Sequence, residues 1–239
     1  MKVVVFDLDE TIGNFEQLGI LWDAIETNES FHKLSSRDLF HILDLFPKVF
    51  RPEFFTILNN LKKNHIQTAI FTNNQGPPEW VSLFAKYTSY KIGRNAFNRI
   101  VRSWKIGNEV IESCRTSHNK KYSDFLKCTG YPENTKLCFL DDQLHDGMKH
   151  PNVYYLHIHP YKYHYTFDDM IHKLIRSKYS KKLLPTKESK KKAKEYLRSE
   201  IHKSVKRYNF HPTKMSISET DTTLSKEIKK HIYTFLATF

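Results

Sequence analysis

VVVFDLDETIG, residues 3–13, is the stretch on which the reading of the chain turns. Val3, Val4, Val5 and Phe6 are β-branched or aromatic, which suits a strand covered on both faces. That run leads straight into Asp7, Asp9 and Glu10. A carboxylate at the end of a buried strand costs free energy unless something pairs with it. The stretch therefore predicts a strand whose carboxyl end faces a cation, a reacting group, or both.

Three more strands are expected, at Gln67–Phe71, residues 136–140 and Val153–His157. Helical patterns lie between them, at 52–63, 79–87 and 121–128. This alternation predicts an α/β fold, a mostly parallel Rossmann-like sheet in three layers with helices on its faces. Ligands of such sheets bind outside the carboxyl ends of the strands. Three of those ends are polar: Asp7-Leu8-Asp9-Glu10-Thr11, Thr72-Asn73-Asn74-Gln75, and Asp141-Asp142-Gln143 with Asp146 beyond. A loop explanation serves for any one of them, but all three meet at one sheet edge.

The chemistry follows from the residue types. Asp7 and Asp9 are two apart, so an extended segment points them the same way. With Asp141 and Asp142 arriving from another strand, the oxygen-only ligand set favours a hard cation, Mg²⁺. A carboxylate can attack phosphorus. A second carboxyl can protonate the leaving oxygen and then activate water. Thr72 can donate to a phosphate oxygen, and a lysine is needed to offset the accumulated negative charge.

DLDET, FTNN, a later lysine and LDD, in that order, resemble the four motifs of haloacid dehalogenase superfamily phosphotransferases, over about residues 1–172. RPEFFTILNNLKK before FTNN is most similar to the NLI-interacting-factor-like group, which includes phosphatases of the RNA polymerase II C-terminal domain. The stretch from WVSLF through CRTSHNKKYSDFL to FLDDQ also resembles versions carried by large DNA viruses. The resemblance implies a superfamily fold with a small cap insertion at residues 13–51. It implies Asp7 as nucleophile, Asp9 as general acid/base, Thr72 as phosphate binder and Lys120 as the motif lysine. Lys121, its neighbour, is the rival. Thr11, Asn73 and Lys121 are the expected substrate-binding residues. Mg²⁺ would be held by Asp7, Asp142 and the Asp9 carbonyl, with Asp141 sharing the ion or standing behind it. The implied activity is a Mg²⁺-dependent phosphatase working through an aspartyl phosphate on a Ser/Thr phosphoprotein. A polynucleotide-end or nucleotide phosphatase, and a nucleic-acid-binding protein with a vestigial site, are the alternatives.

The net charge of +12 is not spread evenly. Residues 173–214 hold 15 Lys and Arg against 3 Glu, and the rest of the chain is neutral. This predicts a basic helical extension, residues 173–239, after the domain of residues 1–172. Ala193, Leu197, Ile201 and Val205 recur every four residues and give its helix one apolar stripe. The stripe docks on the body, or the cations hold nucleic acid without reading sequence. A last helix is expected over 222–239. No run of about 18 apolar residues occurs, so no membrane partner is expected. The first four apolar residues do not make a signal peptide. The three cysteines, with no CxxC, are expected to be reduced thiols, hence an intracellular location in cytoplasm or nucleus. For a viral version this extends to the virion or the host cytoplasm. His145, His150, His157, His159 and His164 read as ordinary loop and strand histidines, and the tyrosines of YYLHIHPYKYHY as packing residues rather than base-stacking ones.

Overall fold

The computed structural model describes residues 1–27, 35–77, 79–180, 190–211, 217 and 219–239. It is an α/β protein with a Rossmann-like parallel sheet. Five strands, β1 (Lys2–Phe6), β2 (Gln67–Phe71), β3 (Arg99–Val101), β6 (Lys136–Asp141) and β7 (Val153–His157), lie in the order β3-β2-β1-β6-β7. Every neighbouring pair is parallel. A separate hairpin joins β4 (Lys105–Ile106) to β5 (Glu109–Val110). β1 is central, and its residues Val3, Val4 and Val5 are fully buried. Alternate residues feed one face: Val3 and Val5, Ala69 and Phe71, Leu137 and Phe139 pack with Tyr122, Phe125 and Met148. That two-residue period is what a pleated strand imposes.

The connecting helices follow the expected pattern: α3 (Phe54–Lys63), α4 (Trp80–Ile92) and α5 (Tyr122–Thr129). Gly93 and Gly130 end the last two in the left-handed conformation, at φ 68° and 69°, which glycine adopts without steric cost.

Two compact units share the chain. The first comprises residues 1–13, 50–161 and 217–239, and holds the sheet. Its C-terminal helix, here α8 (Glu219–Thr238), packs on β7, where Tyr154 bonds His231 at 2.8 Å and faces Phe235. The second comprises residues 14–49 and 162–216. It is built from α1 (Glu16–Glu26), α2 (Ser36–Leu45), α6 (Phe167–Arg176) and α7 (Lys190–Arg207), with α7 packed against α1 and α6. The boundary expected at 172 falls inside α6, so 173–239 is not one detached extension. The apolar stripe explains why: Ala193, Leu197 and Ile201 are buried, and Val205 is half-buried. Residues 14–49, within the stretch 13–51 expected as a cap, belong to one compact unit with residues 162–216.

The cysteine expectation is corrected as well. Cys114 and Cys128 form a disulfide, with Cα atoms 5.1 Å apart, and Cys138 is a free, buried thiol. The pair is 14 residues apart in the chain, and α5 returns the second cysteine to the first. No helix among the described residues is long and apolar enough to cross a membrane.

Candidate active site

The backbone beyond β1 builds the site. The Asp7 N–H donates to the Leu140 carbonyl (2.9 Å), extending the ladder past the strand. Glu10 then takes a left-handed φ of 56°, and its N–H donates to the Gly13 carbonyl at 2.7 Å. Arg51 clamps this turn: Nε donates to the Thr11 carbonyl (2.7 Å), and Nη2 to the Glu10 and His159 carbonyls (2.8 Å each). A non-glycine residue held at positive φ stores strain of order 1–3 kcal/mol, and the guanidinium fork helps hold it there.

Lys120 is the centre of the site. Its Nζ donates to Asp7 Oδ1 at 2.5 Å and to Asp141 Oδ2 at 2.6 Å, and the residue is 1% exposed. Lys121 points elsewhere, donating to the Thr116 hydroxyl at 2.9 Å. The two diverge because Lys121, the residue before α5, is extended (φ −130°, ψ 142°), and successive side chains of extended backbone face opposite ways. Gly147 lets the loop after β6 lie against this pair: a Cβ there would sit 2.7 Å from the Lys120 carbonyl oxygen.

The charges are unevenly held. Burial pushes the Asp7 carboxyl up to about 7, against the pull of Lys120. Burial also raises Asp9, although a bond from Asn74 Nδ2 to its Oδ2 (2.7 Å) opposes this. For Asp141 burial works the same way, but the His145 hydrogen bond and Lys120 outweigh it and hold the group below the usual carboxylate range. Burial alone would lower Lys120, yet Asp7 and Asp141 carry it above its ordinary value. Lys120 and Asp141 are thus a settled ion pair, while Asp7 sits near the edge of ionisation and Asp9 is raised by its burial. Two carboxyls pushed from their ordinary values beside a fixed cation are what acid–base and nucleophilic chemistry require.

Asp7, Asp141 and Asp142 each offer an oxygen, all within 4.8 Å of one another. In an octahedral Mg²⁺ site adjacent ligands stand about 3.0 Å apart and opposite ones about 4.2 Å, so a group of this size is one that could gather round a single ion. Their remaining bonds rank them. Asp141 Oδ2 is taken by Lys120, and its Oδ1 accepts the Gln143 N–H at 2.8 Å. Asp142 Oδ1 accepts the Thr11 hydroxyl (3.2 Å), and Oδ2 accepts Gln143 Nε2 (2.7 Å). The Asp9 carboxylate is outside this group, so any part it has in holding metal falls to its carbonyl.

Thr72 is buried at the end of β2; its N–H donates to the Val101 carbonyl (3.0 Å), and its hydroxyl accepts the Asn74 N–H at 3.1 Å. Two residues expected to bind substrate, Thr11 and Asn73, have partners within the protein. The Thr11 hydroxyl also accepts the Asp142 N–H at 3.1 Å. Asn73 Oδ1 accepts Arg115 Nη2 at 2.8 Å, and its Nδ2 donates to the His118 carbonyl at 2.8 Å. Arg115 was no part of the expected set. Buried, it also donates to the Thr72, Arg102 and His118 carbonyls at 2.7–3.1 Å, tying the loop after β2 to the loop that carries Lys120. Asn74, Gln143 and His145 are further additions. Asn74 was visible in the same polar loop as Thr72; Arg115 gave no local signal, because its acceptors come from three loops. Asp146 lies outside the site, exposed and paired with Lys149 at 2.6 Å. His157 Nε2 donates to the Asp142 carbonyl (3.0 Å) and His159 Nδ1 to the Pro160 carbonyl (3.1 Å), so the two do not converge on a metal.

The chain matches no protein-family model, no curated protein and no solved structure. Fold and site by themselves define an α/β protein that gathers a buried lysine and four aspartates at the carboxyl edge of a parallel sheet.

Proposed function

We propose that the chain is a Mg²⁺-dependent phosphatase of the haloacid dehalogenase type. The observation that carries this reading is the buried Lys120 ammonium bridging Asp7 and Asp141, with Asp9 two residues on and held by Asn74. In this mechanism an Asp7 oxygen attacks the phosphorus of a monoester, and the bond to the leaving oxygen breaks. Asp9, whose raised pKa favours the acid form, gives its proton to that oxygen. Asp9 then takes a proton from water, whose oxygen attacks the phosphorus of the aspartyl phosphate, releasing inorganic phosphate and freeing Asp7. Lys120 offsets charge on Asp7 and on the transferring group, and Thr72 donates to a phosphate oxygen. Asp7, Asp142 and the Asp9 carbonyl would hold Mg²⁺, with Asp141 sharing it or supporting the others, and the ion would supply charge screening between nucleophile and phosphate.

Within its unit the site has an open rim, with Gln75, His118, Gln143 and Leu144 exposed. That favours a phosphate presented on a macromolecule, a Ser/Thr phosphoprotein first and a polynucleotide end second, and it agrees with the likeness to the NLI-interacting-factor-like group and its viral versions. The test is turnover by the full chain of a generic aryl phosphate, a phosphopeptide, a nucleotide and a 3′-phosphorylated oligonucleotide, with Mg²⁺ and with chelator. Release of phosphate only with Mg²⁺ supports the proposal; no release from any of the four contradicts it.

A further inference from the structure

We propose that the groove between α6 and α7 is a binding site for the phosphodiester backbone of a nucleic-acid strand. The groove, about 360 Å³, is lined by His172, Ile175 and Arg176 from α6 and by Lys190, Lys191 and Lys194 from α7. Among the described residues, no acid forms an ion pair with Arg176, Lys190, Lys191 or Lys194. Two further cations of α7 are paired, Arg198 with Asp168 at 2.7 Å and Lys203 with Glu200 at 2.6 Å.

The arrangement is built rather than accidental. At about 100° per residue, Lys190, Lys191, Lys194 and Arg198 fall within about 100° of arc on one flank of α7. That flank borders the buried stripe Ala193, Leu197 and Ile201, so the packing that fixes α7 also fixes where the ammonium groups point. Glu195 and Glu200, the acids of this helix, lie off that flank. Lys190 and Lys194 are one turn apart, about 6 Å along the axis, a separation that successive phosphates of one strand can match. A second groove, lined by Asp169, His172, Lys173, Arg176 and Ser177 with Leu45, shares His172 and Arg176 and continues the cationic track along α6. The ligand is polyanionic because Arg176, Lys190, Lys191 and Lys194, gathered in one concavity, repel each other until a chain of phosphates relieves them. Lysine on phosphate reads no bases, so binding is independent of sequence. The proposal does not depend on the phosphatase reading.

The experiment uses the full-length chain and a short fluorescein-labelled oligonucleotide, single-stranded and duplex, followed by anisotropy between about 50 and 200 mM salt. The variant is Arg176→Gln, Lys190→Gln, Lys191→Gln, Lys194→Gln together; all four side chains are at the surface, and a circular-dichroism melt checks that the variant folds. The comparison variant is Lys226→Gln, Lys229→Gln, Lys230→Gln on α8. We expect salt-dependent binding by the wild type, at least tenfold weaker for the groove variant. The single-strand salt slope should fall by about 2–3, since each lost phosphate contact removes about 0.7. The α8 variant should stay within about twofold of the wild type. No binding by the wild type, or equal loss from the two variants, overturns the proposal. So does binding to anionic vesicles with none to either oligonucleotide.

Discussion

Replacing Lys120 with methionine should be the most informative single change. The ammonium is 1% exposed and bonds the Asp7 and Asp141 carboxylates, of which Asp141 also has His145 Nε2 at 3.5 Å. Methionine keeps the apolar stem and removes the charge, leaving Asp7 and Asp141 facing each other in a buried site. Removing one partner of a buried pair costs about 3–5 kcal/mol. At about 2–4 °C per kcal/mol for a chain of this size, the melting temperature should fall by roughly 6–20 °C. The loss should depend on pH with a definite sign. Asp7 is raised to about 7 in the folded protein, above its unfolded value of 3.8, so its ionised form costs stability at high pH and its protonated form does not. Without Lys120 the folded pKa rises further. The deficit is therefore largest near pH 8 and should shrink by about 1 kcal/mol or more by pH 6. Thermal melts of wild type, Lys120→Met and Lys121→Met at both pH values, without divalent cations, measure this. Lys121→Met removes one bond to the Thr116 hydroxyl and should stay within about 0.5 kcal/mol of wild type. A Lys120→Met deficit under about 1 kcal/mol, or one that does not change with pH, would refute the reasoning; a larger loss from Lys121→Met would mean that the wrong lysine has been assigned.

Mg²⁺ affinity, followed by calorimetry, should rise about tenfold per pH unit up to about pH 7 and level off above it, because a proton on Asp7 competes with the ion; a flat profile from pH 5.5 to 8 would remove Asp7 from the ligand set. Cys114→Ser with Cys128→Ser should lower stability by about 3 kcal/mol, the loop-closure effect expected for a separation of 14 residues, and reductant should do the same to the wild type but not to the variant. Gly147→Ala should impair turnover and stability together, since its Cβ would meet the Lys120 carbonyl at 2.7 Å; a variant indistinguishable from wild type would show that this approach is not needed.

What could be read in the sequence was whatever depends on local pattern. The strands expected at Gln67–Phe71 and Val153–His157 coincide with the observed ranges and the one at 136–140 falls one residue short of β6, because short runs of β-branched and aromatic residues are strong strand signals. β3 was missed: three residues, Arg99–Val101, carry too little periodicity, and only pairing with β2 makes them a strand. The carboxylates of the site were legible because four acids on two strand ends cost free energy without a purpose. The roles of Thr11 and Asn73 were not, since whether a polar side chain meets substrate or braces a loop depends on partners far along the chain, here Asp142 and Arg115. The disulfide was hidden for the same reason. The stripe on α7 was visible, but its packing against α1 and α6, which joins residues 14–49 to 162–216 in one unit, is a tertiary fact.

The central claim is that Asp7 carries the phosphoryl group. Rapid acid quench of the full-length protein turning over a substrate with radiolabelled phosphate, followed by peptide mapping, tests it directly. Label should appear on the peptide containing Asp7, be released by hydroxylamine as an acyl phosphate must be, and be absent from Asp7→Asn. Turnover by the wild type with no trapped label, or label and turnover that survive in Asp7→Asn, would contradict it.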